Sequence, residues 1–191
     1  MNLKGKNAIV TGGGRGLGKA VALLLAKEGV NIGITGRNEE NLKSTVEELK
    51  GLGIQAFYSI FSMDEETAVQ NGIANLAKEL GGIDILINNA GIGDFGSIAE
   101  MPSETWEQVI KTNLFGVYYA AKAVYPFLKE KGEGDVVNVA STAGLKGGPN
   151  MSAYAASKAA VVSLSQSMMA EWRKENIRVI TAKLEEAFAD N

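Results

Sequence analysis

Tyr154 and Lys158 are the side chains whose types and spacing most directly suggest proton chemistry. They lie four residues apart in the stretch 152–158, so on a helix they share one face, about a turn from each other. A phenol has an unperturbed pKa of about 10, and a neighbouring ammonium lowers that pKa by stabilising the phenolate. Such a pair can exchange a proton near pH 7. Tyr and Lys at this spacing are also common on solvated helix faces, so the interpretation depends on the rest of the chain.

The sequence contains no histidine and no cysteine. This excludes a Ser-His-Asp triad, a thiol nucleophile, disulfides and the usual His/Cys zinc sites. Adjacent glutamates, such as Glu39-Glu40 and Glu65-Glu66, fall at predicted helix starts, where the helix dipole favours them. We therefore predict no metal site, and proton chemistry that uses Tyr, Lys, Ser or carboxylates.

Length and charge indicate one domain over residues 1–191, large enough to bury a continuous core. The net charge of -3, with scattered signs, gives no basic surface for nucleic acid. Residues 1–6 are not followed by the apolar run of a secretory signal, and no apolar stretch is long enough to span a bilayer. We expect a cytoplasmic protein.

Short β-branched runs alternate with helical patterns along the whole chain. Strands are predicted at 7–11, 31–35, 55–60, 83–87, 135–139 and 178–181, and helices at 17–28, 39–50, 65–80, 104–131 and 152–175. The strands are almost continuously apolar, as in parallel sheets covered on both faces. The alternation predicts an α/β, doubly wound parallel sheet. Several helices end at glycines that we predict to be left-handed, namely Gly29, Gly51 and Gly81.

A glycine-rich loop at residues 11–18 joins the first strand to the first helix. A Walker A loop would need Ser or Thr where Ala20 stands, and the ordinary G-x-G-x-x-G spacing would place its last glycine at Leu17. The loop fits G-x-x-x-G-x-G, starting at Gly12. Its glycines allow close backbone approach, and a helix N-terminus favours an anion. The loop therefore predicts a phosphate-binding site.

The residue that follows the second strand bears on the choice of nucleotide. An NAD site usually has a carboxylate here, bonded to the ribose 2′-hydroxyl, but this chain has Arg37. Arg15 in the glycine loop adds a second guanidinium. Two guanidiniums near one point favour a 2′-phosphate and hence NADP(H), unless Arg37 is only a solvated loop residue.

These features together resemble the short-chain dehydrogenase/reductase family, most closely its 3-oxoacyl-(acyl-carrier-protein) reductase branch. The resemblance covers residues 1 to about 181. Its motifs are the 11–18 loop, Asn-Asn-Ala-Gly at 88–91, Asn113, Ser141 and the Tyr154–Lys158 pair. It implies a Rossmann fold with strand order 3-2-1-4-5-6.

The resemblance implies catalytic roles for Asn113, Ser141, Tyr154 and Lys158. Tyr154 would protonate the substrate carbonyl oxygen, Ser141 would hydrogen-bond it, and Lys158 would lower the Tyr154 pKa and contact the nicotinamide ribose. Asn113 would position a relay water through a kinked helix. Read alone, Asn113 could be only a kink, and Ser141 only a turn former.

The implied cofactor site is larger than the glycine loop. A family Asp near the adenine is replaced here by Ser62-Met63, and serine can still bond the adenine amine. The cofactor-binding residues implied for NADP(H) are Gly12, Gly14, Arg15, Gly16, Leu17, Gly18, Arg37, Ser62, Met63, Asn89, Ala90, Gly91, Val139, Tyr154 and Lys158.

The last ten residues, 182–191, depart from the family pattern. The family continues with a proline-containing turn, a substrate lid and a seventh strand, whereas this tail predicts a short helix with Leu184, Ala187 and Phe188 on one face. The lid and the seventh strand are expected to be missing, by native truncation or by omission. The sixth strand would then be an exposed edge, and the nicotinamide would be held poorly.

Apolar residues of the last helix, including Val161, Val162, Leu164, Met168 and Met169, spread over more than one face. They predict either a homo-oligomer, dimer or tetramer, through helices 104–131 and 152–175, or burial between neighbouring helices.

The leading functional hypothesis is NADPH-dependent reduction of a 3-oxoacyl thioester on acyl carrier protein, a step of fatty acid biosynthesis. Lys122, Lys129 and Lys131 could meet an acidic carrier, or could be ordinary solvated helix charge. The alternatives are a reductase of another carbonyl or alcohol, and a truncated NADP-binding protein with little or no activity. A P-loop phosphotransferase is disfavoured because Ala20 cannot hold magnesium.

Overall fold

The computed structural model describes residues 3–185. Six parallel strands form one sheet in the order β3-β2-β1-β4-β5-β6, which confirms the predicted doubly wound topology. The strands are β1 (Asn7–Thr11), β2 (Asn31–Gly36), β3 (Ala56–Ile60), β4 (Ile85–Asn88), β5 (Gly134–Ser141) and β6 (Ile177–Leu184). The order reverses between β1 and β4, and ligands of open α/β sheets bind at such a reversal, beyond the carboxyl ends of the strands.

Helices cover both faces of this sheet. They are α1 (Gly16–Lys27), α2 (Glu39–Lys50), α3 (Glu66–Leu80), α4 (Ser103–Ile110), α5 (Gly116–Lys131) and α6 (Ser152–Trp172). A π-helical turn (Lys111–Phe115) joins α4 to α5, and short 3-10 turns follow β5 (Thr142–Gly144) and α6 (Arg173–Glu175). None of the helices within residues 3–185 has the length and apolar character needed to cross a membrane.

Alternation along each strand divides the core into two layers. Ala8 and Val10 pack with α1 and α2, whereas Ile9 packs with α3 and α5. Successive strand side chains point to opposite faces, so β1 contributes to both layers. This explains the nearly continuous apolar runs in the sequence.

Three details differ from the prediction. The single helix predicted at 104–131 is divided by the π-helical turn. The predicted helical tail is wrong at Ala182–Leu184, because β5 extends to Ser141 and pairs with these residues as part of β6; Ala187 and Phe188 lie outside the described residues. Gly51 is right-handed, with φ of -60°, because the chain makes one more turn after α2 and reverses at Gly53, with φ of +83°.

The other two glycines behave as predicted. Gly29 and Gly81 are left-handed, with φ of +79° and +76°; Gly81 directly follows α3, and Gly29 lies two residues after the end of α1. The left-handed conformation is open to glycine without steric cost, which explains why these helices end there.

Candidate active site

The glycine loop between β1 and α1 packs directly on the loop that follows β4. Gly12 has φ of +68°, and a Cβ atom there would lie 3.0 Å from the Ala90 Cα. A Cβ atom on Gly18 would lie 2.3 Å from the Gly12 carbonyl oxygen, closer than any real contact. Both positions therefore need glycine, one for its backbone angle and the other for its lack of a side chain.

Hydrogen bonds that Thr11 accepts join the same two loops. Its hydroxyl accepts from the backbone N–H groups of Asn89 (3.1 Å) and Ala90 (3.0 Å), and the Asn89 side chain donates to its carbonyl (3.0 Å). The sequence motifs at 11–18 and 88–91 thus form one structural unit at the strand-order reversal.

This unit forms one wall of an open cleft of about 730 Å³. Twelve of the predicted cofactor residues line it: Gly12, Gly14, Arg15, Gly16, Leu17, Gly18, Arg37, Ser62, Met63, Asn89, Ala90 and Gly91. The sequence interpretation missed eight further lining residues: Thr35, Gly36, Asn38, Asn41, Leu42, Phe61, Ile92 and Thr112. Most of these follow or precede predicted residues at the carboxyl ends of β2, β3 and β4, and that position could have identified them.

Two guanidiniums, Arg15 and Arg37, line this cleft, as does Ser62. The Asp64 carboxyl, two residues after Ser62, has a pKa below its usual range. The hydrogen bond from Ser62 is the main cause and that from Gln108 the second, and the charge of Arg37 acts in the same direction. The Gln108 amide donates to Asp64 over 2.8 Å. Asp64 is therefore an anion at neutral pH that attracts Arg37.

Tyr154 and Lys158 lie on one face of α6, both largely buried, with 6% and 5% of their surfaces exposed. The Lys158 ammonium donates to the Val139 carbonyl of β5 over 2.9 Å and lies 5.6 Å from the centre of the Tyr154 ring. The pair is thus not on a solvated helix face. Tyr154, Lys158 and Val139 do not line the cleft itself, although Lys158 comes close to Gly91, one of its lining residues.

Ser141 ends β5 and is completely buried. Its hydroxyl accepts a hydrogen bond from the Ala143 N–H over 3.0 Å and so caps the following 3-10 turn. Ala143 packs against Tyr154. The turn that Ser141 caps therefore brings the end of β5 next to Tyr154, so the turn-forming and active-site interpretations are compatible.

Asn113 lies in the middle of the π-helical turn, 1% exposed. Its side-chain amide donates to the Ile92 carbonyl (2.9 Å) and to the Ser157 hydroxyl (3.1 Å), and its side-chain oxygen accepts from the Ile92 N–H (2.8 Å). This side-chain role was not predicted. The relay water at its carbonyl stays a prediction.

The sequence profile of the family described as short chain dehydrogenase matches residues 6–184. The chain belongs to this family.

The relatives of this short-chain dehydrogenase are named for different substrates. The chain is 35% identical over 179 residues to a 3-oxoacyl-(acyl-carrier-protein) reductase of Thermotoga maritima, covering 94% of this chain and 73% of that one. It is 33% identical over 178 residues to a gluconate 5-dehydrogenase of Gluconobacter oxydans, covering 93% and 70%. The crystal structure of an NAD+-bound xylitol dehydrogenase superposes with a TM-score of 0.94 at 34% identity, covering 97% and 72%. The comparisons establish that the chain is an oxidoreductase. Its sequence identity to relatives named for different substrates is nearly equal.

One aromatic contact in this short-chain dehydrogenase was not predicted from the sequence. Phe95, in the long loop after β4, lies with its ring centre 5.8 Å from that of Tyr154. Leu145, after the 3-10 turn, is 62% exposed and Phe95 is 49% exposed. Tyr154 is thus bordered by one exposed aromatic side chain, Phe95, and the loop after β5 adds an exposed apolar residue at the same edge of the sheet.

Proposed function

We propose that this short-chain dehydrogenase is an NADPH-dependent reductase of 3-oxoacyl thioesters carried by acyl carrier protein. The observation that carries the proposal is the buried Tyr154–Lys158 pair, with its lysine held by Val139 beside the end of the glycine-loop cleft. A proton donor of this kind is needed where a carbonyl oxygen becomes a hydroxyl.

The residues present fit a nicotinamide dinucleotide. Gly12, Gly16 and Gly18 line the cleft, so no side chain at these positions keeps a phosphate from the loop backbone. The first turn of α1 lines the cleft as well, as phosphate binding at a helix N-terminus requires. The glycine loop, Ser62 and the 89–91 segment would hold the nucleotide, with Lys158 at the nicotinamide ribose. When bound, the cofactor supplies the hydride that reduces the carbonyl carbon.

The chain's own residues protonate and hydrogen-bond the carbonyl oxygen. The Tyr154 phenol donates its proton to that oxygen, and the adjacent Lys158 ammonium stabilises the phenolate left behind. The Ser141 hydroxyl donates a hydrogen bond that places the oxygen and stabilises its developing charge. Asn113 holds the π-helical turn at which a relay water would return a proton to Tyr154.

The choice of NADP(H) over NAD(H) rests on Arg15 and Arg37. Both guanidiniums line the cleft, and β2 is followed by Arg37-Asn38 rather than by a carboxylate. Guanidiniums form charge-assisted, bidentate bonds to phosphate, which favours a ribose 2′-phosphate. Asp64 lies near enough to Arg37 to attract it, so phosphate binding at Arg37 competes with this carboxylate.

Exposed apolar residues in the loops at the carboxyl edge of the sheet, where Tyr154 also lies, support an acyl substrate. Phe95, Ile98 and Leu145 are exposed large apolar residues of the loops after β4 and β5, and an alkyl chain gains free energy by covering such surface. The lysines considered for carrier-protein contact give no support, because each has an acidic partner within the chain: Lys122 with Glu66, Lys129 with Glu175, and Lys131 with Asp84. These contacts favour their interpretation as ordinary helix charge.

Homo-oligomerisation through 104–131 and 152–175 is supported by different residues from those the sequence suggested. Val161 and Met168 are buried in the chain's own core, and of the five residues considered only Met169 is strongly exposed. The exposed aromatic residues of these segments are instead Trp106 on α4, Phe115 in the π-helical turn and Tyr118 on α5. Exposed aromatic groups of this kind mark protein–protein contacts.

The test is fluorescence titration with NADPH, followed by steady-state reduction of an acetoacetyl thioester. We expect NADPH binding in the micromolar range and turnover that Tyr154→Phe lowers by about a thousandfold or more while sparing NADPH binding. Full turnover by Tyr154→Phe would show the proposed mechanism to be wrong. NADPH binding without any thioester reduction would support the inactive, cofactor-binding alternative.

A further inference from the structure

Ser157 is a buried serine that lies between Asn113 and the Tyr154–Lys158 pair. It stands on α6 three residues after Tyr154 and directly before Lys158, with 0% of its surface exposed. Its hydroxyl donates to the Tyr154 carbonyl over 2.7 Å and accepts from the Asn113 side-chain amide over 3.1 Å. Ser157 thus bonds both to its own helix and to the π-helical turn.

The bond from Asn113 extends the connection to the loop after β4. The same Asn113 side chain exchanges two hydrogen bonds with the backbone of Ile92, and Ile92 lines the cofactor cleft. On the other side, Lys158 donates to the Val139 carbonyl of β5. The helical turn that carries Tyr154 and Lys158 is therefore held from two directions, and Ser157 provides one of them.

We propose that Ser157 is a positioning residue, whose hydroxyl couples the Asn113 side chain to the Tyr154 backbone and so orients the Tyr154–Lys158 turn toward the substrate oxygen. The inference rests on the proposed function of that pair. A serine that only bonds back to its own helix is common and has a local effect. Ser157 differs because its second bond comes from a residue 44 positions away, in another element.

Ser165 provides a matched control two turns further along α6. It is 2% exposed, donates to the Val161 carbonyl over 2.7 Å and accepts from the Asn138 side-chain amide over 2.9 Å. Ser165 therefore has the same burial and the same two kinds of hydrogen bond as Ser157, but it contacts neither Asn113 nor Tyr154. Loss of either hydroxyl removes equivalent interactions, so the two alanine variants should lose similar thermal stability.

The experiment compares Ser157→Ala with Ser165→Ala in three measurements. Small misplacements of reacting groups are costly, so Ser157→Ala should lower kcat about tenfold to a hundredfold. Its Kd for NADPH, from fluorescence titration, should stay within about twofold. Ser165→Ala should leave both values unchanged.

The third measurement uses the protein without cofactor or substrate. The phenolate absorbance of each variant is measured against pH. The same titration is repeated after Tyr154→Phe is added to that variant, and the difference between the two titration curves is the contribution of Tyr154. Since a less fixed turn lets the phenol move from the Lys158 ammonium, the midpoint of this difference should rise in Ser157→Ala by about half a pH unit or more. It should not move in Ser165→Ala.

Ser157→Cys keeps nearly the same volume with a weaker donor, so it preserves packing even if the alanine variant folds poorly. Its kcat and its phenolate midpoint should fall between those of wild type and Ser157→Ala. Equal effects of the Ser157 and Ser165 substitutions on kcat and on the midpoint would overturn the proposal. Full turnover by Tyr154→Phe would instead count against the proposed function, while the midpoints, which need no turnover, still decide the role of Ser157.

Discussion

Asn113 and Ile92 exchange two hydrogen bonds between a side chain and a backbone. The Ile92 N–H donates to the Asn113 side-chain oxygen over 2.8 Å, and the Asn113 amide donates to the Ile92 carbonyl over 2.9 Å. The side chain thus binds the loop after β4 in the way a neighbouring strand would. An amide carries its donor N–H groups and its acceptor oxygen on one planar group, so a single uncharged side chain can bond both the N–H and the carbonyl of one residue.

Asn113→Ala should therefore reduce both stability and activity. The Ile92 backbone groups lose their partners, at a cost of about 1–3 kcal/mol in the free energy of unfolding, and turnover of the acetoacetyl thioester should fall at least about tenfold. Urea unfolding and steady-state kinetics measure the two effects. The control is Asn7→Ala at the opposite end of the sheet, where the Asn7 amide donates to the Leu80 carbonyl over 2.9 Å. It should reduce stability alone; equal losses of activity in the two variants would contradict the role of Asn113.

Gly18→Ala should weaken nucleotide binding. The new Cβ atom would lie 2.3 Å from the Gly12 carbonyl oxygen, so the glycine loop must move away from α1. We expect the Kd for NADPH to rise about tenfold or more, measured by fluorescence titration. Gly51→Ala is the matched change outside the cleft, at a right-handed backbone position, and should leave the Kd unaltered. An unchanged Kd in Gly18→Ala would mean that the nucleotide does not bind at this loop.

Arg37→Asp should reverse the preference between the two dinucleotides. The substitution removes a guanidinium and adds a carboxylate that can accept from a ribose 2′-hydroxyl. We expect the NADPH Kd to rise about ten- to hundredfold, equivalent to one lost charge-assisted hydrogen bond, while the NADH Kd stays level or falls. Arg173→Asp, the same charge change at an exposed residue after α6, should alter neither value. Equal affinity of the unaltered protein for NADH and NADPH would count against the NADP assignment.

Asp64 predicts a dependence of stability on pH. Because the pKa of its carboxyl is lowered in the folded protein, chiefly by the hydrogen bond from Ser62, its stabilising effect is present above the unfolded value of about 3.9. The effect is lost as the pH falls through the lower, folded value. Asp64→Asn should thus be less stable than wild type at pH 7, and the difference should shrink in acid.

Urea unfolding at neutral and acidic pH measures this difference. Gln108→Ala removes the second donor to the same carboxylate, 2.8 Å away, and should give the same trend with a smaller amplitude. A destabilisation by Asp64→Asn that is the same at every pH would show that Asp64 acts through packing rather than through its charge.

The sequence by itself determined the doubly wound parallel sheet and the residues at the ends of its strands, while the strand order came from the family resemblance. Apolar runs, helix caps and the motifs from Thr11 to Lys158 are local patterns, and parallel α/β topology brings the carboxyl ends of neighbouring strands to one edge. For this reason twelve predicted cofactor residues line a single cleft. The extent of β6 was not predictable locally, because the pairing of Ala182–Leu184 with β5 prevails over the helical pattern of the tail.

Only the tertiary structure decided how the active-site residues are held. The bonds of Asn113 to Ile92 and Ser157 join residues 21 and 44 positions apart, and Lys158 reaches Val139 from another element. Type and spacing pointed to Tyr154 and Lys158, and the family resemblance pointed to Asn113, but Ser157 carried no signal of its own. Its role depends on which polar groups meet inside the fold, where a buried hydroxyl must find partners, and no local pattern specifies those partners.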